Sequence, residues 1–302
     1  MKKNFLISIL TLCLVYSCTE SDNFSFPGGN DDGNTGNIPE EILLSDYRIT
    51  FTAGGWEFHR FRDNLEVEIR PNNVLRDKLE YDDESKLTFI TTYAPDLSLD
   101  MTRQFNYSSA GRVTSIDETG VYDVLSDTEV YNRIVNYNGN KITYEIPQPV
   151  LVGETFRIEI TLNTGGLIQE LRQTNSFNNT VEAIYEFSYD NSGNCTQVDI
   201  TRDVAGNVSQ NTYTYNYDNR RNPLHIHART NYIPLILYYG QAMETGEDLS
   251  TLIRNFGPNN VTSSFDSTLA YTYNLDDDPI QAIVRELGTN TFTASIRFNY
   301  QE

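Results

Sequence analysis

From residue 45 onward, apolar and polar positions alternate in short runs, and each run ends in a cluster of Asp, Asn and Gly. The segments 79–90 (LEYDDESKLTFI), 105–116 (FNYSSAGRVTSI), 135–146 (VNYNGNKITYEI), 187–198 (FSYDNSGNCTQV), 215–226 (YNYDNRRNPLHI) and 271–283 (YTYNLDDDPIQAI) share one unit. It reads apolar (usually aromatic)–x–Tyr, a turn rich in Asp, Asn and Gly, then a polar residue and an aliphatic one. Tyr81, Tyr107, Tyr137, Tyr189, Tyr217, Tyr273 and Tyr300 mark its recurrence, with gaps of 26, 30, 52, 28, 56 and 27. The two long gaps are each close to two periods. Leu162 and the following 163–168 (NTGGLI) fill the first missing slot, so the chain repeats about every 27 residues.

Residues two apart on a strand share a face. Tyr213, Tyr215 and Tyr217 therefore share one face, and Thr212, Thr214 and Asn216 the other. Tyr185, Phe187 and Tyr189 alternate likewise with Glu186 and Ser188. One aromatic face and one wet face predict an antiparallel sheet buried on one side. Gly111, Gly139 and Gly193 supply the positive φ that short hairpin loops need. Each period is thus one hairpin, giving about sixteen strands, and accumulated twist keeps such a meander from staying flat. The expected fold is all-β: an antiparallel hairpin meander curling into a barrel-like or superroll sheet, with the aromatics on its enclosed side.

The rhythm breaks at 230–256 (TNYIPLILYYGQAMETGEDLSTLIRNF). A short helical insertion is expected near 240–256, over residues 247–254, with Glu247 and Asp248 at its start, where the helix dipole favours acids. The insertion occupies one repeat slot and is placed to plug or cap an end of the curled sheet.

The N-terminus has a different pattern. Lys2 and Lys3 precede an eleven-residue apolar run, 5–15. That run is too short to span a bilayer and suits a signal h-region. Val15-Tyr16-Ser17-Cys18 resembles a lipobox, with the bulky Tyr16 as its departure. The resemblance implies a signal peptide at 1–17, a lipid on Cys18 and anchoring to a membrane through it. The other readings are an ordinary secretory signal or an uncleaved anchor. Cys18-Thr19-Glu20-Ser21-Asp22 also resembles the acidic export tag of surface lipoproteins in the Bacteroidetes. Residues 18–39 read as a flexible lipidated tether, Gly-, Asn-, Asp- and Ser-rich, and 40–302 as a single β-repeat domain.

The YD-like units carry a further resemblance. Tyr189-Asp190…Gly193-Asn194 and Tyr217-Asp218…Asn222-Pro223-Leu224, with Asn259-Asn260, are similar to the YD (Tyr-Asp) repeats of RHS and toxin-shell proteins. They resemble still more a family of lipidated repeat proteins from Bacteroidetes. The likeness covers roughly residues 79–300. It implies an all-β repeat fold, sometimes described as porin-like, and no known activity. Large RHS proteins add many more repeats and a cleaved toxin end, and the likeness here is to the repeats alone.

Composition narrows the partners. The 302 residues hold 22 Lys and Arg against 42 Asp and Glu, a net charge of −20. Nucleic-acid binding needs a cationic surface and is not expected. An acidic protein is not drawn to an anionic membrane, so a lipid must do the holding. Of three cysteines, Cys13 leaves with the signal and Cys18 is modified, so Cys195 stands alone and reads as a structural thiol.

Candidate chemistry is sparse. His225 and His227, on one side if in a strand, would need a third ligand to bind zinc, and the remaining histidine is His59. Asp276-Asp277-Asp278, Asp82-Asp83-Glu84 and Asp31-Asp32 offer calcium-like oxygens but sit where turns and linkers use them. Trp56, after Gly54-Gly55, would make a sugar platform if exposed, against the commoner expectation of burial in an early strand. No GxSxG, Walker loop, GxGxxG or HExxH is present. No cofactor, metal site or catalytic residue is assigned. The expected role is a non-enzymatic outer-membrane or cell-surface lipoprotein that binds or scaffolds a glycan, a peptide or an envelope protein. The alternatives are a polysaccharide hydrolase or lyase on the concave face, an integral outer-membrane barrel, and an enclosed sheet that carries a lipid.

Overall fold

The computed structural model describes residues 43–63, 65–120, 130–147, 155–204, 206–228, 231–239 and 256–301. Cys18, the expected signal peptide and tether, and the expected 247–254 helix lie outside the described residues. In chain order the elements are β1 (Leu44–Phe51), β2 (Trp56–Arg62), β3 (Leu65–Pro71), β4 (Asp77–Tyr81), β5 (Leu87–Tyr93), β6 (Leu99–Tyr107), β7 (Val113–Gly120), β8 (Tyr131–Ile134), β9 (Asn136–Asn138) and β10 (Lys141–Pro147). They continue with β11 (Thr155–Leu162), β12 (Ile168–Asn175), β13 (Val181–Tyr189), β14 (Cys195–Val204), β15 (Asn207–Thr214), β16 (Asn216–Arg221), α1 (Pro223–Ala228), α2 (Tyr232–Tyr239), β17 (Asn259–Ser263), β18 (Ser267–Tyr273), β19 (Pro279–Glu286) and β20 (Phe292–Tyr300).

One sheet runs β16 to β20, then β1 to β8, and the other runs β15 back to β9. Neighbours are consecutive in sequence except at β1, which pairs antiparallel with β20. Only Val135 separates β8 from β9, and only Tyr215 separates β15 from β16. Both residues keep a ladder bond: Val135 N–H donates to Thr114 O and Tyr215 N–H to Thr196 O, each at 2.9 Å. A single bent strand therefore passes the ladder from one sheet to the other at each place. With β1 joined to β20, the ring of strands closes, as accumulated twist requires.

Antiparallel order sends successive turns to alternate ends. The repeat turns at 82–86, 108–112, 163–167, 190–194 and 274–278 all fall at one end, where β1 begins and β20 stops. Their chemistry is shared. Asp190 accepts from Ser192 N–H and Asn194 N–H, both at 2.9 Å. Asp82, Asn163 and Asn274 each accept the same two bonds in their own turns. The fourth turn residue takes positive φ: Ser85, Gly111, Gly166, Gly193 and Asp277. Asp276-Asp277-Asp278 and Asp82-Asp83-Glu84 are thus turn residues, as their position in the repeat implies.

The repeat tyrosines bind the hairpins together. Tyr107, Tyr189, Tyr217 and Tyr300 donate their hydroxyls to the carbonyls of Leu87, Ile168, Cys195 and Pro279 at 2.6–2.8 Å. Each acceptor is the residue that leaves the preceding repeat's turn. Tyr81 donates to Glu66 O at 2.7 Å. Tyr273 departs from this pattern, because the helical insertion occupies the slot before it. Its hydroxyl goes to the Asp218 carboxylate instead.

The inner face is apolar, as the alternation predicts. Tyr185, Tyr144 and Ile158 are fully buried, while Glu186 and Arg157 on the alternate positions are exposed. The insertion brings one correction and one addition. The second strand expected within 215–226 is replaced by α1, and α2 at 232–239 is a further helix that the sequence pattern does not announce. Pro223 begins α1, where its fixed φ and missing N–H are tolerated. Helix α2 is apolar all round because it is enclosed: Leu235, Ile236 and Leu237 are each 0% exposed. Asn231 bonds Leu87 N–H and Ser85 O, and Tyr232 Oη accepts from Ile168 N–H at 3.0 Å. These contacts tie the helix start to both sheets at the repeat-turn end, and its apolar side chains fill the ring.

Candidate functional site

The residues nominated by sequence do not converge. Cys195 is buried, its Sγ points at Gln197 O, and burial pushes the thiol up to about 12, as suits a structural thiol. His225 lies in α1, where residues two apart point to opposite sides, so the shared strand face expected for His225 and His227 does not exist. Its Nδ1 bonds Phe256 O at 2.7 Å, and burial lowers its affinity for a proton. The His227 side chain is outside the described ones. Among the described residues no group of His, Cys, Asp and Glu is arranged to hold a metal ion.

Two polar clusters that the sequence reading missed lie inside the ring. In the first, Glu118 on β7 joins Arg103 at 2.9 Å and Arg133 at 2.5 Å. Arg133 Nη1 also donates to Leu237 O at 2.9 Å. That carbonyl belongs to the last turn of α2, where acceptors lack helical partners and a cation suits the dipole. In the second, His59 is held between Glu66 on Nδ1 and Glu57 on Nε2, the latter at 2.7 Å. Its ring stacks on Tyr47 with centroids 4.2 Å apart. Arg76 reaches Glu57 at 3.2 Å and Asp77 at 2.7 Å. Burial disfavours a charged His59, but Glu66 and Glu57 outweigh it and raise the ring to about 9. Burial lifts Glu66 to about 7 against the pull of His59. His59, Glu66, Glu118 and Arg133 are all sealed from solvent, so these groups orient and lock strands rather than meet a substrate. The signal that could have found them is parity: Glu57, His59, Arg103 and Glu118 occupy inward positions of alternating strands.

Two clefts of the outer wall differ in charge. One, of about 640 Å³ on β10–β13, is lined by Lys141, Arg157 and Arg172 against Glu159, Glu170 and Glu186. Lys141 pairs with Glu159 at 2.6 Å and Arg172 with Glu170 at 3.1 Å. The other, of about 560 Å³ on β20, β1, β2 and β3, sets Arg48, Arg60, Arg70 and Arg297 against only Asp46 and Glu68, with Trp56 and Phe58 between them. Pairing places Gln281, Arg297, Arg48, Phe58 and Arg70 in one row across five strands. The Arg48 guanidinium lies 4.3 Å over the Trp56 ring. Glu68 is drawn to Arg70 at 2.9 Å and Arg60 at 3.8 Å. Trp56, expected in the core, is half-buried on this outer wall, because β2 turns Glu57 and His59 inward instead.

Fold and wall together define an all-β hairpin-repeat protein with a filled interior. Among solved structures, the chain is similar to a porin-like protein from Bacteroides uniformis, at 12% identity over 85% of this chain and 98% of that one, with a TM-score of 0.44. It is similar to a porin-like protein from Bacteroides vulgatus at 12% identity, 86% and 99% coverage and a TM-score of 0.38. A Photorhabdus luminescens Tc holotoxin pore chain matches at 10% identity over 80% of this chain but 11% of its own length, with a TM-score of 0.29. These are likenesses of backbone course, and the all-β repeat architecture stands on the strand ladders themselves. No protein-family model and no curated protein sequence matches the chain.

Proposed function

We propose that this chain is a lipid-anchored protein of the outer membrane, displayed at the cell surface, that binds a ligand on its outer wall without catalysing a reaction. The filled ring carries this reading. With α2 and the inward side chains packed against one another, the described interior is occupied by core residues, which favours the outside for recognition over transport, lipid carriage or a concave catalytic cleft. The wall also weighs against an integral barrel. Lys141, Glu159, Glu170, Arg172, Arg48 and Arg297 face outward, where a bilayer-spanning barrel places apolar residues and where a midplane Arg or Lys costs about 2–4 kcal/mol. The Cys18 lipobox supports the anchor. The chain enters β1 at the repeat-turn end, and Trp56, at the start of β2, lies at the opposite end.

Labelled palmitate entering the wild type but not Cys18→Ser, with Cys18→Ser released in soluble form without detergent, is the expected result. Equal labelling of both removes the anchor. A wild-type protein that stays inaccessible to protease on intact cells removes surface display.

A further inference from the structure

We propose that the wall formed by β20, β1, β2 and β3 binds a carboxylated polysaccharide, a chain of uronic acids laid across the strands along the row Arg297–Arg48–Phe58–Arg70. The inference names the ligand class of the binding role above and rests on it.

Charge comes first. The chain carries −20 overall, yet this cleft has twice as many arginines as carboxylates. Arg48 sits directly opposite Arg297 on the β1–β20 ladder. Like charges at such positions destabilise a sheet, and neither guanidinium has a carboxylate partner among the described residues. The comparison cleft on β10–β13 shows the ordinary solution, with cations and carboxylates in equal number. Unpaired arginines facing one another suit an anion supplied from outside.

Geometry comes second. Guanidinium forks match planar carboxylates in bidentate fashion. Strands lie about 4.8 Å apart, so arginines on neighbouring strands form a ladder of donors at a regular spacing. A uronic-acid chain carries one carboxylate on every sugar and can meet several rungs. Trp56, with Arg48 over one face of its ring, and Phe58 lie partly buried among those donors, and aromatic rings accept the C–H faces of pyranose rings. An acidic peptide offers carboxylates without such faces.

The test uses purified full-length protein in neutral detergent, with affinity electrophoresis through gels containing polygalacturonate, dextran or polyglutamate. Polygalacturonate is expected to retard the wild type, with the retardation falling as salt rises, and dextran is expected to leave it unretarded. The double variant Arg48→Gln/Arg297→Gln should bind polygalacturonate roughly tenfold or more weakly, since each lost charge-assisted bond is worth about a factor of ten. Its thermal midpoint should match or exceed that of the wild type, which separates lost binding from lost folding. Trp56→Phe should retain part of the affinity. The proposal falls if polygalacturonate fails to retard the wild type, if dextran retards it equally, if polyglutamate binds at least as tightly, or if the double variant binds undiminished. Cys18→Ser should bind like the wild type, so failure of the anchor and failure of the ligand assignment read out separately.

Discussion

The arginines inside the ring and those on its wall obey opposite rules. Arg103 and Arg133 are buried, and Glu118 meets both while the end of α2 receives Arg133. Arg48 and Arg297 stand exposed, opposite one another, with a tryptophan ring beside Arg48 and, among the described residues, no carboxylate on either. Inside, each charge is held by an opposite charge, because the desolvation of an uncompensated one is severe. Outside, water screens the charge, so an unpaired arginine costs little to the fold. The contrast separates arginines kept for architecture from those free for recognition.

The sharpest way to break this contrast is Glu118→Gln. It leaves Arg103 and Arg133 buried without their counter-charge, and about 3–5 kcal/mol of stability should be lost. Urea unfolding would show this as a large drop in midpoint. A drop below about 1 kcal/mol would mean that water reaches the cluster and that the interior is not sealed.

Second is the pH dependence of the His59 cluster, which Glu57, Glu66, Arg76, Asp77 and Tyr47 surround. His59 binds its proton more tightly in the fold than in the unfolded chain, at about 9 against 6.5. Its contribution is fully present below about pH 6.5 and is lost as pH rises through 9. Two and a half units at about 1.4 kcal/mol each make this of order 3 kcal/mol. Glu66, raised to about 7, acts in the same direction, because the fold holds a proton that the unfolded chain releases above about 4.5. Stability should therefore decline from pH 6 to 9.5, and His59→Gln should flatten most of the decline above pH 6.5. An unchanged slope in that variant would remove His59 from the account.

Third, Tyr107→Phe and Tyr189→Phe each delete one hydroxyl-to-carbonyl bond between repeats. Each should cost about 1 kcal/mol, measurable in the same unfolding assay. Equal stability would reduce the tyrosine hydroxyls to solvated ornaments on a purely apolar ladder.

The smallest effect is on the wall. Arg48→Gln/Arg297→Gln should leave stability within about 0.5 kcal/mol or raise it by roughly 0.2–1 kcal/mol by removing like-charge repulsion. A marked loss of stability would show that the outer arginines serve the fold as the inner ones do, and the contrast would dissolve.

Much of the architecture was legible from residues alone. Period-two alternation at Tyr185, Phe187 and Tyr189 gave the inward face, and the spacing of Tyr81, Tyr107, Tyr189 and Tyr300 gave the hairpin repeat. The Asp and Asn turns were placed correctly because their hydrogen bonds are local, closed within five residues. The wall cleft was only half visible. Trp56 was noticed, but its outward side depended on which parity of β2 faces the core, and it is Glu57 and His59 that face inward. The arginine row was invisible for a different reason. Arg297 and Arg48 are 249 positions apart in sequence, and only the closing pair β1–β20 sets them side by side. The insertion was expected to plug or cap the sheet with a helix at 247–254, which lies outside the described residues; the helices at 223–239 were not foreseen, since an all-apolar run such as 232–239 carries no helical periodicity to read.

Sequence by itself determined what is local and periodic: which residues of the regular repeats pair into hairpins, which face of their strands is apolar, and where their turns bend. Those choices depend on neighbours within a few positions, so the order of residues specifies them. Only the tertiary structure decided what depends on ring closure. It set which charges became partners inside, which helix filled the space, and which arginines met on the wall, because each joins strands far apart in the chain whose register nothing local encodes.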